Sequence, residues 1–194
     1  MIRSGIEAGL LDVLAPRDYL TAMAVHTVLV APDPRLKVKS MPVGGVDDDL
    51  RHLMDDMLET MYATNGIGLA AIQIGVPKRV IVMDLAGKGE APAPRYFVNP
   101  EIFWRSEERV VANEGCLSVP DLYDDVERPA RIKARFLDYQ GESVEIAAED
   151  LLSTCLQHEM DHLEGVLFID HLSRLKRSMI LKKLAKSRRL AEPA

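Results

Sequence analysis

Cysteine is scarce in this chain. Its two thiols, Cys116 and Cys155, form no C-x-x-C pair in 194 residues. That excludes a disulfide framework and suits a reducing compartment. No apolar run reaches the roughly 18 residues that a transmembrane helix needs, so no membrane partner is expected and the chain reads as cytoplasmic. Repeats, low-complexity tracts and linkers are also missing, and a single domain with a proper core is the simplest division. Residues 1–22 stand apart as an extension. Asp12, Pro16, Arg17 and Asp18 interrupt their apolar part, unlike a signal peptide, and their acids are unlike a transit peptide. They read either as an accessory helix or as the product of an upstream start codon, with Met23 the true start and 23–194 the domain proper.

Charge is unevenly spread. The net charge is −6, with 24 Lys+Arg against 30 Asp+Glu. Residues 174–189 hold eight bases and no acid, which leaves the remainder at −14. With Leu172, Leu175, Met179 and Leu184 on one side, this stretch reads as a basic amphipathic C-terminal helix. It is either a solvated helix packed on the body or a functional patch.

The densest chemistry lies in His158-Glu159-Met160-Asp161-His162. H-E-x-x-H on a helix places two imidazoles one turn apart with a carboxylate beside them, half of a tetrahedral metal site and a group able to move protons. The third ligand is not downstream. Phe168 occupies the place of a metzincin's third histidine. Glu164 falls roughly 200° round the helix, and Glu192 is at the end of the chain. Upstream, Cys116 is the better candidate. A Cys-His-His set leaves the fourth position to water, which is the catalytic arrangement. Cys155, one turn before His158, could compete, but three ligands from one helix converge poorly and it fits better as pocket wall.

With such a metal, a bound water becomes a nucleophile near neutral pH. Glu159 can serve as general base and pass the proton to a leaving amine. Gln73 offers a side-chain amide, and Leu117 a backbone N–H, to an oxyanion. The reaction class is hydrolysis of an amide-type carbonyl. Gly66-x-Gly68-x-x-Ala71, with Asp84 beyond it, imitates a dinucleotide fingerprint. That motif must follow a strand and open a helix, whereas this one follows a helical stretch and runs into Gly75 and Pro77. No nucleotide cofactor is expected. A loop whose backbone approaches a bound extended peptide explains the glycines better. Leu151, Thr154 and Cys155 share a helical side with the histidines and, with Ile67, could wall an apolar pocket. Glu114 and Asp161 are acids placed to orient the ligands, with Arg128 as a counterion for one of them.

Around these residues the chain resembles bacterial peptide deformylases in three blocks. They are Gly66-Ile67-Gly68-Leu69-Ala70-Ala71-Ile72-Gln73, Glu114-Gly115-Cys116-Leu117-Ser118, and Gln157 to Gly165, in matching order and separation. The resemblance runs from about Ala24 to the C-terminus. It implies one divalent metal on Cys116, His158 and His162, with Fe2+ expected and Zn2+, Ni2+ or Co2+ able to substitute. Glu159, Gln73 and Leu117 would be catalytic. Gly66, Ile67, Gly68, Gly115, Leu151 and Cys155 are expected to bind substrate, the pocket taking the methionine side chain of an N-formylmethionyl nascent peptide. A cramped site would admit the formyl group and exclude bulkier acyl groups. The resemblance also implies a ribosome contact for the basic helix. A zinc peptidase, or a lapsed deformylase-like RNA-binding protein, are the alternatives.

The expected fold is α+β with antiparallel sheet and a C-terminal amphipathic helix, and the resemblance implies that the sheets wrap around a central helix carrying H-E-x-x-H. Helical spacing covers Leu50 to Tyr62 with Asp47 as N-cap, and a second helix covers Glu149 to Leu163. Strand-like runs are Arg79 to Leu85, Tyr96 to Trp104, Arg131 to Asp138 and Ser143 to Ile146, the last two joined by a turn at Tyr139-Gln140-Gly141-Glu142.

Overall fold

The computed structural model of the protein describes residues 24–191, so the extension 1–22 lies outside the described residues. Helix α1 spans Asp48–Ala63, and Asp47 caps it by accepting from the Leu50 amide at 2.8 Å. Leu50, Met54, Met57 and Met61 recur along one face and are fully buried. Truncating one of them, for example Met57→Ala, would cost about 2–5 kcal/mol through lost transfer energy and a residual cavity.

Five strands follow in one antiparallel sheet of order β1-β2-β3-β6-β7: β1 Gly68–Ala70, β2 Val80–Met83, β3 Arg95–Arg105, β6 Ile132–Leu137 and β7 Ser143–Ala148. Strand β2 is buried on both faces because the sheet lies between two helices. Val80 and Val82 join the α1 face, whereas Ile81 and Met83 point to the opposite core, as the alternation of strand side chains requires. Helix α2, Asp150–Leu163, fills that opposite core with Leu156 and Leu163 against Ile81, Phe97 and Ile132.

A second, two-stranded antiparallel sheet is formed by β4 Arg109–Cys116 and β5 Val119–Pro129. Both strands fall outside the strand-like runs read in the sequence. Val126 of β5 packs with Leu36, Phe168, Ile180 and Leu184 in a third core, which seats helix α3, Arg174–Ala191. The apolar side of α3 differs from the expected one. Leu172 is partly buried and Leu184 is buried, but Leu175 and Met179 are 72% and 51% exposed. Ile180 and Leu184, one turn apart, are the buried residues that seat the helix, with Lys176 one turn earlier held to Asp124 at 2.7 Å, and this leaves 175 and 179 outside.

Candidate metal centre

Two elements deliver the metal-type side chains. The four-residue spacing of His158 and His162 puts their rings on one side of α2, edge to face with centroids 5.0 Å apart. Gln157 anchors that helix across to the end of β5, donating to the Pro129 carbonyl at 3.0 Å. Cys116 arrives from the other sheet as the last residue of β4. Leu117 and Ser118 form the tight turn, and Cys116 pairs with Val119 across it. The sulfur thereby comes 3.2 Å from His162 Nε2. The ligand atoms of Cys116, His158 and His162 all lie within 4.8 Å of one another, and among the described residues they form the only cluster of three such groups. One thiol and two buried imidazoles fit a borderline-soft divalent ion, with three protein donors rather than four.

The two imidazoles differ electrostatically. Burial and the neighbouring charge of His158 hold His162 well below the ordinary histidine range. Burial also opposes charge on His158, but its hydrogen bonds to Cys116 and Glu114 prevail and raise its pKa. His158 Nδ1 lies 2.8 Å from Glu114 Oε2, which leaves its Nε2 facing the cluster. Glu114 is held at a pKa of about 2. Burial alone would raise it, but hydrogen bonds from His158 and Arg128 outweigh burial. Arg128 grips Glu114 through Nε at 2.5 Å and Nη2 at 2.9 Å, then donates Nη1 to Asp161 at 2.8 Å. The expected single counterion therefore bridges both acids.

Glu159 is 4% exposed and its Oε2 meets no hydrogen-bond partner among the described residues. Burial lifts its pKa to about 7, with the charge of His158 pulling back and that of Glu114 pushing further up. Its Oε1 rests against Gly68, where a Cβ would come within 2.5 Å of it. Gln73, 1% exposed, is oriented from both ends. Its Oε1 accepts from the Ala70 amide at 2.8 Å, and its Nε2 lies 3.2 Å from Ser118 Oγ and 3.7 Å from the Cys116 sulfur.

Beside this cluster opens a cleft of about 680 Å³, lined by every residue expected to bind substrate: Gly66, Ile67, Gly68, Gly115, Leu151 and Cys155. Thr154, Gln73, Leu117, Cys116, His158 and Glu159 also reach it, whereas His162 lies fully buried behind. Gly68 belongs to strand β1 and runs into the 3-10 turn Ala71–Ile74, so the segment read as a loop is half sheet. The far wall was not legible. A register shift between Gly115↔Tyr123 and Cys116↔Val119 bulges Pro120, Asp121 and Leu122 into the cleft. Asp121 adopts φ 60° there. Ser118, which touches Gln73, lies in the Glu114-to-Ser118 block but receives no role from the sequence, and His171, which touches Asp161, carries no motif signal at all.

Comparison with known proteins places these features in context. The sequence model of the family described as polypeptide deformylase matches residues 25–178. A peptide deformylase of Phenylobacterium zucineum is 68% identical over 169 residues, which are 87% of this chain and 100% of that protein. A peptide deformylase of Rhizorhabdus wittichii is 62% identical over 177 residues, 89% of this chain and 100% of that one. Among solved structures, peptide deformylase from Ehrlichia chaffeensis in complex with actinonin is similar with a TM-score of 0.82 and 44% identity, over 86% of this chain and 99% of that one.

Proposed function

The chain belongs to the polypeptide deformylase family, and we propose from that premise how its own residues carry out the reaction. It is a metal-dependent hydrolase that removes the N-formyl group from the N-terminal formylmethionine of newly made polypeptides and releases formate. The observation that carries the residue-level reading is the convergence of Cys116, His158 and His162, within 4.8 Å of one another, from strand β4 and helix α2. These three hold the ion. We favour ferrous iron, as the family resemblance implies, with zinc, nickel or cobalt able to substitute because the donor set does not discriminate among them.

When bound, the ion supplies a Lewis acid and an acidified water at neutral pH. Glu159 is the general base: its unpartnered Oε2 takes a proton from the attacking water and returns it to the leaving amine. A pKa of about 7 suits both directions of that transfer. Gln73 Nε2, aimed by the Ala70 amide and Ser118, donates to the developing oxyanion together with the Leu117 N–H. Loss of one such donor typically costs about 100-fold to 1,000-fold in turnover. Glu114, braced by Arg128 and Asp161, fixes the His158 ring and its tautomer.

Cleft residues Ile67, Leu151 and Cys155 receive the unbranched methionine side chain, while Gly66, Gly68 and Gly115 let the peptide backbone come close. Residues 23–194 act as one catalytic domain and 1–22 as an accessory extension. The enzyme works in the cytoplasm, and α3 docks on the ribosome through its bases. No helix among the described residues is long and apolar enough to cross a membrane. The test is formate release from formyl-Met-Ala-Ser by iron-loaded protein, with acetyl-Met-Ala-Ser as control. Formate without acetate supports the reading. Equal turnover of both peptides, or of neither, overturns it.

A further inference from the structure

A hydrogen-bonded chain runs from the metal centre to the surface and ends at His171. Glu114 Oε2, bonded to His158 Nδ1 at 2.8 Å, also accepts from Arg128 Nη2 at 2.9 Å. Arg128 Nη1 donates to Asp161 Oδ2 at 2.8 Å, and the same oxygen lies 2.7 Å from His171 Nε2. Donors and acceptors alternate along the path, and each carboxylate oxygen is shared by two donors. In such a chain the geometry and polarity of one bond depend on its neighbours.

We infer that His171 is a positioning residue for the metal centre: by holding Asp161 Oδ2 it keeps Arg128 where it presents Glu114 to His158. The inference rests on the proposed metal-centre reading and extends it by one residue. Burial explains why the chain needs an outer pin. The side chains of Arg128 and Glu114 are 6% and 4% exposed and are locked by packing, whereas that of Asp161 is 25% exposed. The hydrogen-bond partners of this carboxylate among the described residues are two donors, Arg128 and His171. Without His171 the Asp161 carboxylate is free to turn to water, and Arg128 loses its third hydrogen bond.

His171 is itself well placed to act as a pin. It closes the 3-10 turn Phe168–His171, which the Asp170 carboxylate stabilises by accepting from the Leu167 amide at 2.9 Å. Asp170 is in turn paired with Lys37 and with Arg177. The same turn stacks Phe168 on the His158 ring, with centroids 6.3 Å apart and planes at 25°. It therefore reaches His158 twice, once by stacking and once through the hydrogen-bonded chain.

The test compares the zinc affinity of wild type, His171→Ala, His171→Gln, Asp161→Asn and the His171→Ala/Asp161→Asn double variant, measured by competition with a chromophoric chelator. Partners directly behind metal ligands typically change affinity by about 10-fold to 100-fold, so a residue further out is expected to weaken zinc binding by about 3-fold to 10-fold. The Gln variant, which keeps a donor, should recover wild-type affinity. In the Asp161→Asn background the His171 substitution should add almost nothing. kcat for formyl-Met-Ala-Ser should fall in parallel with KM unchanged. Unchanged or tighter zinc binding by His171→Ala, an equal effect in both backgrounds, or a loss confined to thermal stability would each overturn the inference. A wild type that binds no zinc would instead sink the metal-centre reading, and so the two failures are separable.

Discussion

Glu159 is the residue whose chemical role and structural cost conflict most sharply. Its pKa rises from 4.5 to about 7. At about 1.4 kcal/mol per unit, keeping the carboxylate ionised inside the fold costs about 3 kcal/mol. A carboxyl whose folded pKa is raised gives its full stability below the unfolded value. That stability is lost as pH climbs through the folded value. Glu159→Gln removes the ionisation and keeps the shape. In chelator-treated protein, the variant should match wild type near pH 4.5 and gain progressively as pH rises, until above pH 7 it is more stable by up to about 3 kcal/mol, roughly 6–12 °C in Tm. Formate release should meanwhile fall by about 100-fold or more. Urea unfolding at pH 5 and pH 8, with and without chelator, measures the first effect, and a formate assay the second. A variant no more stable than wild type at pH 8, or one whose advantage is the same at both pH values, would refute the assignment of a buried, reluctantly ionised base.

Other perturbations separate the remaining parts of the site. Glu114→Gln leaves Arg128 buried without its main counter-charge and should destabilise the protein by about 3–5 kcal/mol in urea unfolding; a cost below about 1 kcal/mol would contradict the ion pair of side chains 6% and 4% exposed. Gly68→Ala puts a methyl within 2.5 Å of Glu159 Oε1. It should lower kcat by about 100-fold through displacement of the base, with metal content intact by elemental analysis; unchanged kcat would show that the carboxylate need not sit there. Deleting residues 1–22 should leave kcat/KM for formyl-Met-Ala-Ser unaltered, and a large loss would assign the extension a part in catalysis.

Legibility in the sequence followed how local each signal was. Helix α1 could be read because Asp47 supplies its cap and the Leu50-Met54-Met57-Met61 stripe its period, both within one segment. Helix α2 was read to within a residue, with Glu149 as its N-cap rather than its first residue. The strands of the five-stranded sheet were legible from β-branched and aromatic runs, except β1, whose three residues sit between glycines and a 3-10 turn. Strands β4 and β5 were hidden because theirs is a two-stranded ribbon, exposed along much of its length. Asp121, Asp124, Asp125 and Glu127 blur the alternation, and the bulge at Pro120 breaks the register. The Cys116-His158-His162 cluster was foreshadowed by the H-E-x-x-H spacing and the Glu114-to-Ser118 block. Arg128 as the bridge of Glu114 and Asp161, and His171 at the end of that bridge, depend on elements meeting in space, which one-dimensional spacing does not encode.

The most direct test of the metal centre is X-ray absorption at the zinc edge of zinc-loaded protein, read beside Cys116→Ser. One sulfur at about 2.3 Å and two imidazole nitrogens at about 2.0–2.1 Å, with a single light solvent atom completing four-coordination, is the expected spectrum, and the sulfur should vanish in the variant. A wild-type spectrum without sulfur, or with four protein donors, would contradict it.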